Sequence, residues 1–523
     1  MPDSTTTNTT TTESVTVTSG GNAMSPLFTG RKVIYANPTD LSVDANVIAM
    51  LEQTMLDHLI NRDEMEYLKR YEKGDQPIFY RIKEVRENIN VKVCSNYAKL
   101  ITDFKVGYEF GSPVTFVQRA SDDYRKADAK QDDKRVAMLN EMMWEQGKAG
   151  KDIELAHDFK ATGLGYMLAY PKQEDSDDIA PFDLLVLNPL NTYCVYSNDA
   201  YRRKIMAVTY SWLRDNNIAR ATVYTKDWIY TMLDSKIIDK TRNILGVIPI
   251  VEFKNDMNRQ ACFEPVIPLA DALNISNSDR VNDLAQYVQA ILWLHNCAID
   301  TDQKQELKDA GYIQTTTTAD GREAKIEYIT TALNQSETQS LIDYLYGQML
   351  EIAGVPGRDS ASGGNTGSAI LLSNGWQLAE TMAKTMEPIF SSSEMELLEV
   401  IIAILRNTPN VPEEMKQLKK SDVLVKFSRN KTYDLVSRTA ALTNLIKLGV
   451  DPGKAFGAVD IFDDTQQVTL DSQPRIDKIL FSALNKVTQK QETPETGDGN
   501  PVNGIKGADD HNAEQNREND SAV

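Results

Sequence analysis

The sequence predicts a mixed α+β protein, and three observations lead to that prediction. Apolar residues recur at helical spacing before residue 110 and again after residue 265. Between residues 163 and 251 they give way to short runs rich in β-branched and aromatic residues. Of the 523 residues, 41% are hydrophobic and 25% are charged, which is the balance of a globular protein with a sizeable core.

Two helices are predicted in the first part of the chain. The first covers 42–70, where an apolar residue recurs at every fourth position: Val43, Val47, Leu51, Met55 and Leu59. Its opposite face is expected to be exposed to solvent, because it carries His58, Arg62 and Glu66. The second helix covers 97–108 and ends before Gly111. The charged stretch 121–135 is predicted to be a solvated loop or the start of a helix, in preference to a metal site.

Residues 163–251 are predicted to form mostly antiparallel hairpins. Turn residues separate six strand-like runs, at 165–170, 183–189, 192–199, 204–212, 219–233 and 246–253. This part of the chain is therefore expected to be rich in sheet.

The next helix is predicted from Pro265 to about His295. Its apolar stripe is formed by Val281, Leu284, Val288 and Ile291. Two strand-like runs, 314–318 and 324–328, then flank Asp320-Gly321, which is a strong hairpin signal. A further helix covers 337–353. The sequence thus predicts a small β element that protrudes at the ends of two helices.

The last part of the ordered chain is predicted to be a loop followed by helices. Residues 354–370 are too rich in Gly and Ser for regular structure, whereas 366–407 form a helix of roughly 60 Å, kinked at Pro388. Residues 431–486 are again helical, with a stop at Gly449. The polar ends, 1–37 and 489–523, are expected to be disordered tails.

Composition excludes several classes of function. A formal net charge of −19 argues against a protein that grips nucleic acid with clustered Lys and Arg. No run approaches the ~20 apolar residues of a membrane span, and the first residues do not look like a signal peptide. The four cysteines have neither zinc-site nor disulfide-framework spacing. We therefore expect a soluble protein of the cytoplasm.

Enzyme motifs are missing as well. The chain has no GxxxxGK[ST] loop, no HExxH and no GxSxG, and its four histidines fall in no catalytic pattern. We expect no catalytic residue, no metal and no cofactor. A protruding hairpin, a Gly-Ser loop and a long helix indicate a machine part instead.

One stretch carries a specific likeness. The sequence INVKVCSNYAKLITDFKVGYEFGSPVTF, residues 89–116, resembles the signature of bacteriophage portal proteins of the SPP1-type family. YEKGDQPI precedes it, and TYCVYSND, VYTKDWIY, ILGVIPIVEFKND and AGVPGRDSASGGNTGSAI follow in the family's order. The resemblance extends from about residue 40 to about residue 430.

The resemblance implies a mixed portal-protein fold with a helical and β-rich wing, a two-helix stem, a small α/β clip, a long kinked helix and a helical crown. It divides the chain between the tails as follows: wing 38–263, stem helices 264–295 and 336–353, clip 296–335, tunnel loop 354–369, long helix and wing return 370–424, and crown 425–488.

The same resemblance implies a non-enzymatic head-tail connector: a ring, typically a dodecamer, at one capsid vertex of the virion, assembled in the host cytoplasm. Double-stranded DNA would pass through it without sequence specificity during packaging and ejection. Its partners would be the terminase large subunit, head-completion or adaptor proteins, scaffold and major capsid protein, and no membrane. The alternative is another structural ring or adaptor of the virion, such as a minor capsid or scaffold-like component.

Two sets of site residues follow from the resemblance. The tunnel loop would meet DNA through Arg358, Ser360, Ser362, Gly363, Gly364, Asn365, Thr366 and Ser368. The clip would dock terminase through Lys304, Lys308, Asp320, Gly321 and Arg322. In the loop the opposite charges of Arg358 and Asp359 cancel. This suits a channel that must let DNA slide, because each phosphate that a cation neutralises increases the affinity of the protein for DNA. The charge of −19 then favours a conduit that repels phosphate.

Overall fold

The computed structural model describes residues 29–83, 87–119, 129–172, 179–213, 218–234, 236–288, 291–295, 325–329, 335–357, 375–429 and 435–459, with single residues at 468, 472 and 475. Helices and strands are largely segregated along the chain, with eight consecutive strands between residues 164 and 254, so the α+β prediction is confirmed. The described residues divide into two compact units, with the boundary between Ser437 and Arg438.

The first unit begins with four helices: α1 Asp44–Glu72, α2 Tyr97–Phe110, α3 Ala129–Glu145 and α4 Lys148–Thr162. Both predicted helices are confirmed, and the charged stretch does lead into a helix, α3. The side chain of Asn96 caps α2 by accepting the Lys99 N–H at 3.2 Å. Gly163 ends α4 at φ +92°, where a Cβ atom would lie 2.1 Å from the Arg259 carbonyl oxygen.

The inner face of α1 differs from the prediction. Val43 is 46% exposed, whereas His58, expected in water, is 1% exposed. Its ring stacks on Tyr193 at 4.5 Å between centroids, and burial lowers its pKa to about 4. A nitrogen of this ring lies 3.2 Å from the Leu190 carbonyl oxygen. The predicted exposure of His58 was wrong because a polar side chain can be buried wherever the fold provides a partner.

Two sheets follow, built from antiparallel neighbours with one exception. The strands up to residue 254 are β1 Ile34–Ala36, β2 Thr115–Gln118, β3 Leu164–Pro171, β4 Phe182–Leu187, β5 Thr192–Ser197, β6 Lys204–Leu213, β7 Ile218–Thr225, β8 Trp228–Leu233, β9 Lys236–Arg242 and β10 Ile250–Lys254, and all of them except β2 belong to these two sheets. One sheet has the order β1-β5-β6-β7-β8-β9 and the other β10-β3-β4. Strand β1 is the exception, because it pairs with β5 in parallel, with Ile34 opposite Val195. The predicted hairpins are confirmed, except that the single run predicted at 219–233 forms two paired strands, β7 and β8. Strands β1, β2 and β9 were not predicted.

The prediction that residues 1–37 form a tail is wrong for 29–37. Arg31 is 3% exposed, and its guanidinium donates to Glu64, Thr162 and Glu264 at 2.8–3.0 Å. Strand β1 comes next in the chain. A single buried cation with three acceptors therefore ties this arm into the first unit, although its sequence looks polar.

The remaining elements of the first unit are α5 Ile267–Val288, β11 Ile291–His295, β12 Lys325–Ile329, α6 Gln335–Ala353, α7 Trp376–Asn407, α8 Glu413–Lys416 and β13 Val423–Lys426. The predicted helix to His295 is wrong at its end: α5 stops at Val288, and 291–295 pairs antiparallel with 325–329. An apolar run fits either structure by periodicity, and the presence of a partner strand decides. The expected strand at 324–328 is confirmed, but its expected partner, 314–318, lies outside the described residues.

The long helix α7 lies at the centre of the largest core cluster. Its Phe390 ring lies 5.1 Å from that of Phe253 and 6.2 Å from that of Phe159, and Leu397 and Ile401 are fully buried. The helix continues through Pro388, and the kink stays a prediction. The predicted start, 366–374, lies outside the described residues.

The second unit contains α10 Pro452–Val459 and most of α9 Leu435–Lys447. The predicted stop is confirmed: Gly449 has φ +83°, and the Val450 N–H bonds to the Leu445 carbonyl at 3.1 Å. Across the described part of both units, no helix has the combined length and hydropathy that crossing a membrane requires.

Candidate functional site

All of the predicted site residues lie outside the described part of the chain. These are Arg358, Ser360, Ser362, Gly363, Gly364, Asn365, Thr366 and Ser368 of the loop, and Lys304, Lys308, Asp320, Gly321 and Arg322 beyond α5. The structure does describe the elements from which both segments leave and to which they return. These supporting elements form the candidate site.

The ends of segment 358–374 lie side by side. Helix α6 ends in a glycine cap, where Gly354 has φ +65° and the Val355 N–H bonds to the Leu350 carbonyl at 2.9 Å. A Cβ atom on Gly354 would lie 2.1 Å from the Met382 sulfur, so the end of α6 rests on α7. A Cβ on Gly375, just before α7, would lie 3.5 Å from the Pro356 Cα atom. The segment therefore leaves and returns at one place.

Aromatic packing anchors the first turn of α7. The Trp376 ring lies 6.0 Å from Phe104 and 5.9 Å from Tyr108, both on α2. The Tyr108 hydroxyl donates to Glu380 at 2.7 Å. Because α2 belongs to the 89–116 motif, that motif anchors the start of α7, to which segment 358–374 returns.

Arg429 adds an ionic clamp at the same place. Its side chain is 5% exposed, and its guanidinium bonds to Glu380 at 3.2 Å and also to Glu387, about two turns farther along α7. The guanidinium also lies 5.8 Å from the centre of the Tyr108 ring. The chain after β13 is thereby fastened to the start of α7.

The helices α5 and α6 form the pair that carries segment 296–324. They share one core cluster, in which Ala270 and Leu273 of α5 join Ile342 and Met349 of α6, and Arg280 bonds to Gln339 across the pair. Strands β11 and β12, the next described elements along the chain, pair with each other, Ile291 opposite Ile329 and His295 opposite Lys325. A two-stranded ribbon thus forms the base of the segment.

A polar ladder fastens α5 to the motif. Asn274, Ser278 and Asn282 recur every four residues, and each is at most 1% exposed. They accept the backbone N–H groups of Ser95, Val93 and Val91, at 2.8, 2.9 and 2.7 Å respectively. The spacings match, since four helical residues and two extended residues both advance about 6 Å. Sequence reasoning missed this ladder, although three small polar residues at i, i+4 and i+8 were its signal.

One group of side chains has the residue types of a metal site. Ligand atoms of Glu72, Asp103 and His157 lie within 4.8 Å of one another. The Lys99 ammonium already lies 3.3 Å from Asp103 and 3.8 Å from Glu72, and the hydrogen bond to Glu72 raises the pKa of His157. The carboxylates thus already have partners within the group, Lys99 for both and His157 for Glu72.

Comparison with known proteins gives three findings. The family model described as "Phage portal protein, SPP1 Gp6-like" matches residues 55–454. No curated protein matches the chain. Among solved structures, the chain is similar to one in the "Virion of native gene transfer agent (GTA) particle", with 12% sequence identity, a TM-score of 0.41, and coverage of 77% of this chain and 94% of that chain.

Proposed function

Because the chain belongs to the SPP1 Gp6-like family of phage portal proteins, we propose that it forms the ring through which double-stranded DNA enters and leaves the capsid at one vertex. The family match over residues 55–454 carries this proposal. Portal proteins of this family are structural components of the virion. We propose a dodecamer, assembled in the host cytoplasm with scaffold and major capsid protein, with no catalytic activity of its own.

The proposed roles of the segments follow from what carries them. Residues 354–369 serve as the tunnel loop, because the segment is anchored at both ends on α6 and α7. Residues 296–335 serve as the clip, which docks the terminase large subunit and later head-completion proteins, because the segment lies in the chain between the two stem helices and is closed at its base by the paired strands β11 and β12. Residues 38–263 are the wing, 264–295 and 336–353 the stem, 370–424 the long helix and wing return, and 425–488 the crown.

The charge of the stem supports passage of DNA without tight binding. The helix pair carries exposed carboxylates at Asp283, Glu337, Asp343 and Glu351. Carboxylates repel phosphate, and each cation that neutralised a phosphate would add affinity and slow sliding. An acidic stem is thus suited to a conduit.

Exposed apolar side chains on the stem support the ring. On α6, Leu341 is 52%, Tyr344 64% and Ile352 48% exposed, and they recur at helical spacing opposite the buried face. On α5, Leu284 is 57% exposed. A stripe of this kind is expected to be covered by the neighbouring subunit.

Replacing Leu341 and Tyr344 together with glutamate is expected to remove most of the rings, because two charges would then be buried in the subunit interface. Negative-stain microscopy of the purified protein measures the outcome, and the unaltered chain should show rings with a hole wide enough for duplex DNA. The matched control is Leu56→Glu, at a site 67% exposed on α1, which should assemble normally. Unchanged rings in the double variant would refute the stem interface. A chain that stays monomeric even with capsid and scaffold proteins would count against the portal proposal itself.

Charge reversal at Lys304, Lys308 and Arg322 is expected to weaken terminase binding about tenfold or more, since several charge-assisted contacts would be lost at once. Binding of purified terminase to immobilised rings measures this. Lys236→Glu, which removes a cation from the edge strand β9, is the control and should bind like the parent. Equal binding by all variants would place the docking surface elsewhere.

A further inference from the structure

Three charged side chains meet in the core where α7 crosses α4. Lys148 and Asp152 lie on consecutive turns of α4, and Glu394 lies near the middle of α7. Their side chains are 5%, 3% and 1% exposed. The Lys148 ammonium contacts Asp152 and lies 2.9 Å from Glu394.

The charges of this cluster do not balance. Two carboxylates face one ammonium, and Lys148 and Glu394 are the charged groups with the largest effect on Asp152. The second oxygen of each carboxylate, Asp152 Oδ2 and Glu394 Oε2, is buried without a hydrogen-bond partner among the described residues. A net negative charge with orphaned acceptors is costly in a dry core. One proton would remove the net charge and provide a donor.

We infer that Asp152 carries a proton at mildly acidic pH, beside the ion pair of Lys148 and Glu394, and that the packing of α7 against α4 weakens when this proton leaves. The contact between α4 and the middle of α7 would thereby depend on pH. This goes beyond the role of the chain as a portal protein and does not depend on it.

The ionisation of the cluster agrees with its geometry. Burial raises the pKa of Asp152 from 3.8 to about 7, with Glu394 acting in the same direction and Lys148 against it. Burial disfavours the charged form of Lys148, but Asp152 and Glu394 outweigh it, and the pKa of the ammonium is raised. Because the folded carboxyl holds its proton more tightly than the unfolded one, the stabilisation is complete at low pH and fades as pH rises from about 4 to about 7.

The first test compares thermal unfolding across that pH range. Asp152→Asn and Glu394→Gln each leave one carboxylate for one ammonium, so neither variant needs the proton. In both, the fall in Tm with rising pH should be shallower than in the parent, by the equivalent of about one proton. Glu399 also lies on α7 and forms an exposed ion pair with Lys420. Glu399→Gln is therefore the control, and its Tm should depend on pH as in the parent. The inference would be overturned if Tm fell with rising pH as steeply in both cluster variants as in the parent.

The second test does not depend on the stability of a variant. Infrared spectroscopy of the unaltered chain at about pH 6 should show the carbonyl band of a buried protonated carboxyl group, which should vanish above about pH 8 and be missing in both variants. Absence of that band from the unaltered chain would refute the proton on Asp152, whether or not the protein forms rings.

Discussion

Replacing Gly363 and Gly364 with bulky residues such as leucine is expected to abolish DNA packaging while rings still assemble. The two glycines let the backbone of the tunnel loop change shape, and side chains there would both stiffen it and narrow the channel. Assembly should survive because the loop leaves and returns at a base held by contacts of Gly354, Gly375 and Trp376. The measurement is nuclease-protected DNA after packaging with purified terminase and capsids, beside microscopy of the rings.

A matched substitution distinguishes the effect of bulky side chains in the tunnel loop from their effect elsewhere in the chain. Gly150 lies on α4, and a Cβ atom there would meet nothing within 4 Å. Gly150→Leu should therefore package DNA like the parent. If the double-glycine variant packages normally, the assignment of 354–369 as the tunnel loop is wrong.

Removing the buried cation of the N-terminal arm, by Arg31→Ala, is expected to cost about 3–5 kcal/mol in the free energy of unfolding. The change leaves Glu264, whose side chain is 0% exposed, with the Ala261 N–H at 2.7 Å but without its cation. Burial already raises the pKa of Glu264, and loss of Arg31 should raise it further. The deficit should therefore shrink as pH falls, because the protonated carboxyl no longer needs a partner. Denaturant unfolding at several pH values measures both effects.

The control for this variant is an exposed ion pair of the same kind. Arg70 pairs with Asp75 at the end of α1 with its side chain 57% exposed, and Arg70→Ala should change stability little at any pH. A similarly small loss for Arg31→Ala would mean that the arm contributes little to the first unit.

Local pattern predicted most helices and strands well, and failed where a partner distant in sequence decides. Helix α2 and the stop at Gly449 depend on neighbouring residues, so spacing and capping chemistry were enough. Strand β11 is an apolar run that fits helix or strand, and only β12, about thirty residues onward, selects the strand. For the candidate site, the sequence located both segments but not their support, since the ladder of Asn274, Ser278 and Asn282 acts on a backbone 185 residues away at Ser278.

By itself, the sequence determined the α+β class, the order of elements and membership of the portal family, because each depends on short motifs and on their order along the chain. Only the tertiary structure decided that Arg31 belongs to the core, that His58 faces inward, and that three charges meet between α4 and α7. The physical reason is common to all three. Each of these buried polar groups has at least one partner far away in the sequence, and folding rather than proximity in sequence brings such partners together.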